Sequence, residues 1–292
     1  KILKEIHQDS AILQSNNINH VAKYRSVQAI SGTPGNHSTY HQRLDYQLNS
    51  SKGTDHYIVE VIKHKQSPIS FLDFEKIDSF LKNIFNASAK KDDIRAIIDI
   101  NATFTGISNA SVAKALVNLI QEKSLKVSQV LYFNEDQILC AMDVARPEKI
   151  TVLATSDEKE MNRMLGSTPQ QRMTYYDQAH TLGTDIAQHS SAHSVCLVGD
   201  KVQFEEFIQG ILRKRKISQE QTIEFVLPKR ASNLNSLEAL ILKCEENEQR
   251  ERAEDNLVAA QTQMLDCLRR HCLDLILELP SEEAEKKAAL AL

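Results

Sequence analysis

The stretch YYDQAHTLGTDIAQHSSAHS, residues 175–194, sets two acids, three histidines and a glycine behind a pair of tyrosines. An aspartate near an imidazole can orient a general base, and Gly-Thr-Asp (183–185) after a strand is a turn sequence that can also face a ligand. Three chemistries are open to these residue types. His180, His189 and His193 could ligate a metal, but neither their spacing nor a supporting acid matches a known ligand set, so no metal centre is expected. Cys140 or Cys196 could serve as a nucleophile if His180 or His193 reached it, with Asp177 or Asp185 orienting the ring. Both cysteines, however, sit within strand-like apolar runs, where a thiol behaves as a small buried hydrophobe. Cys267, His271 and Cys272 fall a helical turn apart and are better explained as a helix seam. The third chemistry is neutralisation of phosphate charge. QGILRKR, residues 209–215, gathers Gln209, Arg213 and Arg215 at the end of an amphipathic run, and a planar guanidinium grips phosphate oxygens without losing its charge. A solvated helix end accounts for the same cations, which are favourable near a helix C-terminus.

The elements that must position these residues alternate in type. Residues 1–24 read as weakly helical, and SVQAI (26–30) as a short buried strand ending at the turn SGTPGN. STYHQRLDYQL and DFEKIDSFLKNIF have helical spacing, the second opening with an acid as a helix N-terminus favours. IRAIIDI (94–100) is a buried-strand run. SNASVAKALVNLIQEK follows it, with Ser108 or Asn109 placed to cap a helix that carries Val112, Leu116, Leu119 and Ile120 on one face. QVLYF, QILCAMDV and KITVLAT read as strands, DEKEMNRML as a polar helix and MTYY as a strand. SVCLVG, QFEEFIQGILRKRK and TIEFVLP then give strand, helix and strand, closed by Pro228. This alternation predicts an α/β fold with a mostly parallel, doubly wound sheet.

Beyond Lys229, apolar residues recur at three- and four-residue steps: Leu234, Leu237, Ile241 and Cys244, then Leu257, Met264, Leu268, Leu275 and Leu279. One or two long helices follow. The polar interval EENEQRERAED interrupts the seam, so an arm packed back on the α/β body is expected in place of a continuous coiled coil. The resulting division is 1–50, the end of a preceding lobe or a linker; 51–230, the α/β lobe; and 231–292, the helical arm.

The chain has 292 residues, of which 41% are hydrophobic and 25% charged, enough to bury a substantial core. A net charge of -4 gives no global footprint for nucleic acid or an anionic membrane, so neither partner is expected. Five scattered cysteines without a CxxC pair argue against a disulfide framework and for a reducing, cytoplasmic compartment. No apolar run approaches the roughly 18 to 20 residues of a membrane helix. The chain starts at Lys1 without methionine, which suggests a fragment of something longer.

SGTP (31–34), GTD (183–185) and QGILRKR (209–215) occur in the order in which superfamily 2 helicase-type ATPases carry their third, fifth and sixth motifs. AHTLGTDI also resembles the GRGTDI segment of the SecA translocase motor. It is similar still more closely to the DEAHTRGTD segment of a family of very large, uncharacterised fungal, plant and protist proteins. That family has counterparts to SGTPGNHSTYH, TGISNASVAKAL and RKRK, so the resemblance spans roughly residues 26–228. It implies the second RecA-like lobe of a motor whose first lobe holds ATP and magnesium. Gly32, Thr33, Gly183, Asp185 and Gln209 would then shape the nucleotide cleft, with Arg213 or Arg215 crossing it toward the transferred phosphate. The sequence departs from the motif by placing Leu212 and Lys216 where a glycine and the second arginine are usual. DQAH (177–180) is not a working acid box, since it lies downstream of SGTP and carries Gln178 for the acid. No GxxxxGK[ST] loop occurs in the chain. ATP hydrolysis is therefore expected only together with the missing ATPase lobe. Two alternatives remain: a protein-interaction module of a bacterial effector, since LPSEEAEKKAALAL resembles a type IV secretion signal and would direct the chain into a host cell, and a ubiquitin-directed cysteine peptidase.

Overall fold

A computed structural model of the chain describes residues 57–181 and 186–277. The two expected helices, the strand and the turn before residue 57 lie outside the described residues, as do Gly32, Thr33, Gly183, Asp185 and the segment LPSEEAEKKAALAL.

The described part opens in helix, α1 (57–64). Then follow β1 (Ile69–Phe71), α2 (Ile77–Ala87), β2 (Ile94–Asp99), α3 (Asn109–Glu122), β3 (Gln129–Phe133), β4 (Leu139–Asp143) and β5 (Ile150–Val152). The chain continues with α4 (Glu158–Leu165), β6 (Arg172–Tyr176), β7 (His193–Leu197), α5 (Phe204–Leu212), β8 (Thr222–Leu227) and α6 (Leu237–Leu277). Among the described residues eight strands form one sheet in the order β1-β8-β7-β2-β6-β3-β4-β5. The six from β1 to β3 in that order are parallel, and only the β3-β4-β5 meander is antiparallel. The architecture is the α/β, mostly parallel, doubly wound one, consistent with a RecA-like fold.

Alternation along each strand divides the core in two. Ala96 and Ile98 of β2, Leu131 and Phe133 of β3, Tyr176 of β6 and Cys196 of β7 point to one face, where α1, α5 and the start of α6 cover them. Ile97, Val130, Tyr132, Tyr175, Val195 and Leu197 point to the other, under α2 and α3. Burial on both faces explains why the central strands read as continuous apolar runs and not as alternating ones. Gly210 is needed at the first face: a Cβ there would lie 2.7 Å from Ile100 Cγ2, so the glycine lets α5 sit close on the end of β2.

Local chemistry sets the element ends. Ser108 caps α3, its side chain accepting from the Ser111 N–H. Asp157 caps α4 by accepting from Glu160, and Gly166 closes that helix in the left-handed conformation. In α2 the expected start at Asp73 is four residues too early. Leu72 N–H still donates to Leu227 O, extending the β1 ladder, and Asp73 accepts from the Lys229 N–H at 2.9 Å. The acid in the first helical turn is Asp78. α1 and the three-residue β1 lie outside the elements that the spacing predicts.

α6 is one helix of 41 residues, running unbroken through the polar interval. Leu237, Leu240, Ile241 and Cys244 join the core, and Asn247 Nδ2 donates to Asp200 O and Val202 O. Farther along, Leu257, Val258, Met264, Leu265, Leu268 and Leu273 are exposed.

Candidate functional site

The site is built on a change of winding direction. The connection from β2 to β3 passes over one face of the sheet through α3, whereas Ile186, between β6 and β7, is buried on the other. β2 and β6 are neighbours, and such a change of direction is the position at which doubly wound sheets form a crevice.

At this carboxyl edge Asp99 is almost wholly buried and accepts from the Thr103 and Phe104 N–H groups at 2.9 and 3.2 Å. Burial pushes its carboxyl up, opposed by those hydrogen bonds. Gly199, after β7, comes so close to Asn101 that a Cβ would lie 1.7 Å from its Oδ1. After β6, Asp177 is gripped on both oxygens: Asn109 Nδ2 donates to Oδ2 at 3.0 Å and to Phe133 O at 2.9 Å, and His180 Nδ1 meets Oδ1 at 2.5 Å. DQAH is thus a clamp at the mouth of the loop. A groove of about 420 Å³ adjoins it, lined in part by Ser108, Asn109, Asn134, Glu135 and Asp136.

The segment 186–192 returns to the amino edge of the sheet, where β7 begins. α5 runs antiparallel to the strands and ends at this same edge. Gln221 Nε2 donates to His189 O, and Gln221 Oε1 accepts from the Lys216 N–H, both at 2.9 Å. The residues that follow Gly-Thr-Asp therefore share an edge with the RKRK turn. Within that turn the four cations differ, Lys216 being exposed. Arg213 is the C-cap of α5 and is buried, its Nε donating back to Gln209 O at 3.3 Å. Gln209 is half-buried and Arg215 is exposed. Lys214 has no exposed surface, and its Nζ donates to Gln188 Oε1 and Ala192 O, each at 2.9 Å. The expected helix through residue 216 is corrected here: it stops at Leu212, and the turn beyond it folds Lys214 inward while Arg215 and Lys216 stay solvated.

The three histidines have separate partners. His180 stacks on Phe133 and pairs with Asp177. His189 meets Gln170 Nε2 at 2.6 Å and Ser191 Oγ at 2.9 Å. His193 is buried between β7 and β8, where it meets Thr222 Oγ1 at 2.8 Å and Glu224 Oε2 at 3.3 Å. Among the described residues no group of three His, Cys, Asp or Glu side chains is placed to hold a metal ion. Cys140 and Cys196 lie buried in β4 and β7, and burial pushes both thiols up, Cys196 the more strongly. That environment opposes the thiolate a cysteine peptidase needs. Among the described residues no helix is long and apolar enough to cross a membrane.

No known protein family, curated protein or solved structure matches this chain.

Lys214 is the residue that sequence reasoning missed. The sole signal for it is its place between two arginines on the inward side of a turn, which is visible only once the helix end is fixed at Leu212.

Proposed function

We propose that this chain is the second RecA-like lobe of a two-lobed motor of the superfamily 2 helicase or SecA type. It lends an arginine, from the amino edge of its sheet and not from the carboxyl-edge crevice, to a nucleotide whose magnesium and phosphate loop belong to another lobe. One observation carries the reading. The segment following Gly183–Asp185 and the arginine turn at 213–216 are far apart in sequence yet are stitched together at one edge through Gln221. A guanidinium there would stabilise charge developing on the transferred phosphoryl group. Arg215, being exposed, is the better placed of the two arginines, and Arg213 acts within the fold. Without a phosphate loop the chain alone does not turn over ATP.

Two measurements test this. Phosphate release from ATP and magnesium should stay at background; turnover that survives repurification and is lost in an Arg213→Ala, Arg215→Ala double variant overturns the non-hydrolysing role. An ATP analogue carrying a photoreactive group on its γ-phosphate should label peptides within 186–192 or 209–216, with competition by ATP and several-fold loss in Arg215→Ala. Saturable labelling confined to other peptides, or none, overturns the nucleotide reading.

A further inference from the structure

The amine of Lys214 occupies an unusual position. It is fully buried, and its acceptors are an amide oxygen and a peptide carbonyl, neither of them charged. Taking an ammonium out of water without a counter-ion is unfavourable, and an apolar side chain of similar length would fill the same space without that cost. What the amine adds is direction. From one point it reaches residues 188 and 192, holding both ends of the short segment that enters β7. Gln188 extends the line, its Nε2 donating to the Tyr176 hydroxyl at 3.2 Å. Tyr176 is the last residue of β6, directly before the Asp177 clamp. The chain Lys214–Gln188–Tyr176 therefore brackets the β6–β7 connection, tying its exit from β6 and its entry to β7 to the turn at the end of α5.

We propose that Lys214 is a positioning residue, a latch that holds residues 186–192 and the arginine turn as one unit. The latch itself stands on geometry alone; its value for nucleotide contact rests on the reading proposed above. Burial pushes the amine down to about 7, in keeping with a cation held by neutral acceptors.

Amide hydrogen exchange on the full chain, without nucleotide, tests the latch in Lys214→Met, Gln188→Ala and the double variant. Losing a buried hydrogen bond of this kind should speed exchange of the amides in 186–192 about tenfold in each single variant. The double variant should be no faster than Lys214→Met, since both changes break one line, while amides of β3 exchange as in wild type. Folded variants whose 186–192 amides exchange at wild-type rates overturn the proposal, as do effects that simply multiply in the double variant. If Lys214→Met fails to fold, Gln188→Ala alone decides: faster exchange in 186–192 supports the latch, and wild-type exchange there overturns it. Labelling by the γ-phosphate probe at 213–216 should fall in step with the exchange effect. Absence of that labelling in wild type sinks the nucleotide reading, while the exchange rates still decide the latch.

Discussion

The imidazole of His180 lies flat on the ring of Phe133, with centroids 3.8 Å apart and planes 2° from parallel, while its Nδ1 meets Asp177 Oδ1. One ring is thus held by its face and by its edge. His180→Ala removes both contacts and should lower stability by about 1–3 kcal/mol. Asp177→Asn keeps the stack and should cost less. Urea denaturation of the two variants checks the order, and a His180→Ala chain as stable as wild type refutes the clamp.

The thiols divide by burial. Cys140, Cys196 and Cys244 are buried, and burial pushes the Cys244 thiol up to about 12, whereas Cys267 and Cys272 are exposed on α6. Ellman's reagent should titrate two thiols in the native chain and all five after unfolding. A ubiquitin-based suicide probe should leave no adduct; one that disappears in Cys140→Ala or Cys196→Ala would revive the peptidase alternative.

Lys214 gives stability a pH dependence whose sign is fixed. Its amine sits at about 7 in the folded chain against an ordinary 10.5. Below pH 7 both states hold the proton and the cost of burying the charge is fully present. Between about 7 and 10.5 the unfolded chain binds more protons than the folded one, so stability rises with pH through that window. The rise should amount to a few kcal/mol, and it should be missing from Lys214→Met in urea titrations at pH 7 and 10. A difference between the two chains that stays constant across the window contradicts the burial of a charged amine.

The first turns of α6 are part of the lobe. Leu237, Leu240, Ile241 and Cys244 lie in the core, and burying each such side chain contributes about 1.5–3 kcal/mol. Ending the chain at Lys229 should remove stabilisation comparable to the whole folding free energy of about 5–15 kcal/mol and give an unfolded or insoluble product. Ending it at Glu248 should preserve cooperative melting. Similar melting temperatures for the two truncations would show that the helix start is dispensable.

Most of the fold was legible because its strands are buried on both faces and its helices carry one apolar stripe. IRAIIDI and SVCLVG can hardly be anything but central strands, and Ser108 marks a helix start by its own hydrogen-bonding habit. The misses have local causes. β1 is too short to show a period, and it is a strand through pairing with a segment far along the chain. Asp73 has the look of a helix-opening acid, but a backbone amide beyond β8 claims its carboxylate. RKRK is the clearest case: a solvated cationic end accounts for Arg215 and Lys216, and only the stop at Leu212 turns Lys214 inward. The candidate site was legible as residue types. Its division between two edges of the sheet was not, because the return of 186–192 across one face depends on winding direction, which one-dimensional spacing does not encode.

The pairing of β1 with β8 also sets a clock. Ile69 lies opposite Phe225, so a strand made early waits for the last strand of the sheet. At a synthesis rate of about 5–20 residues per second, the partner arrives roughly 8–30 s later. Throughout that interval the apolar side chains of α1 and β1 have no finished surface to cover them. In a nascent chain of this topology those side chains therefore stay uncovered for seconds, and the folding yield should respond to translation speed.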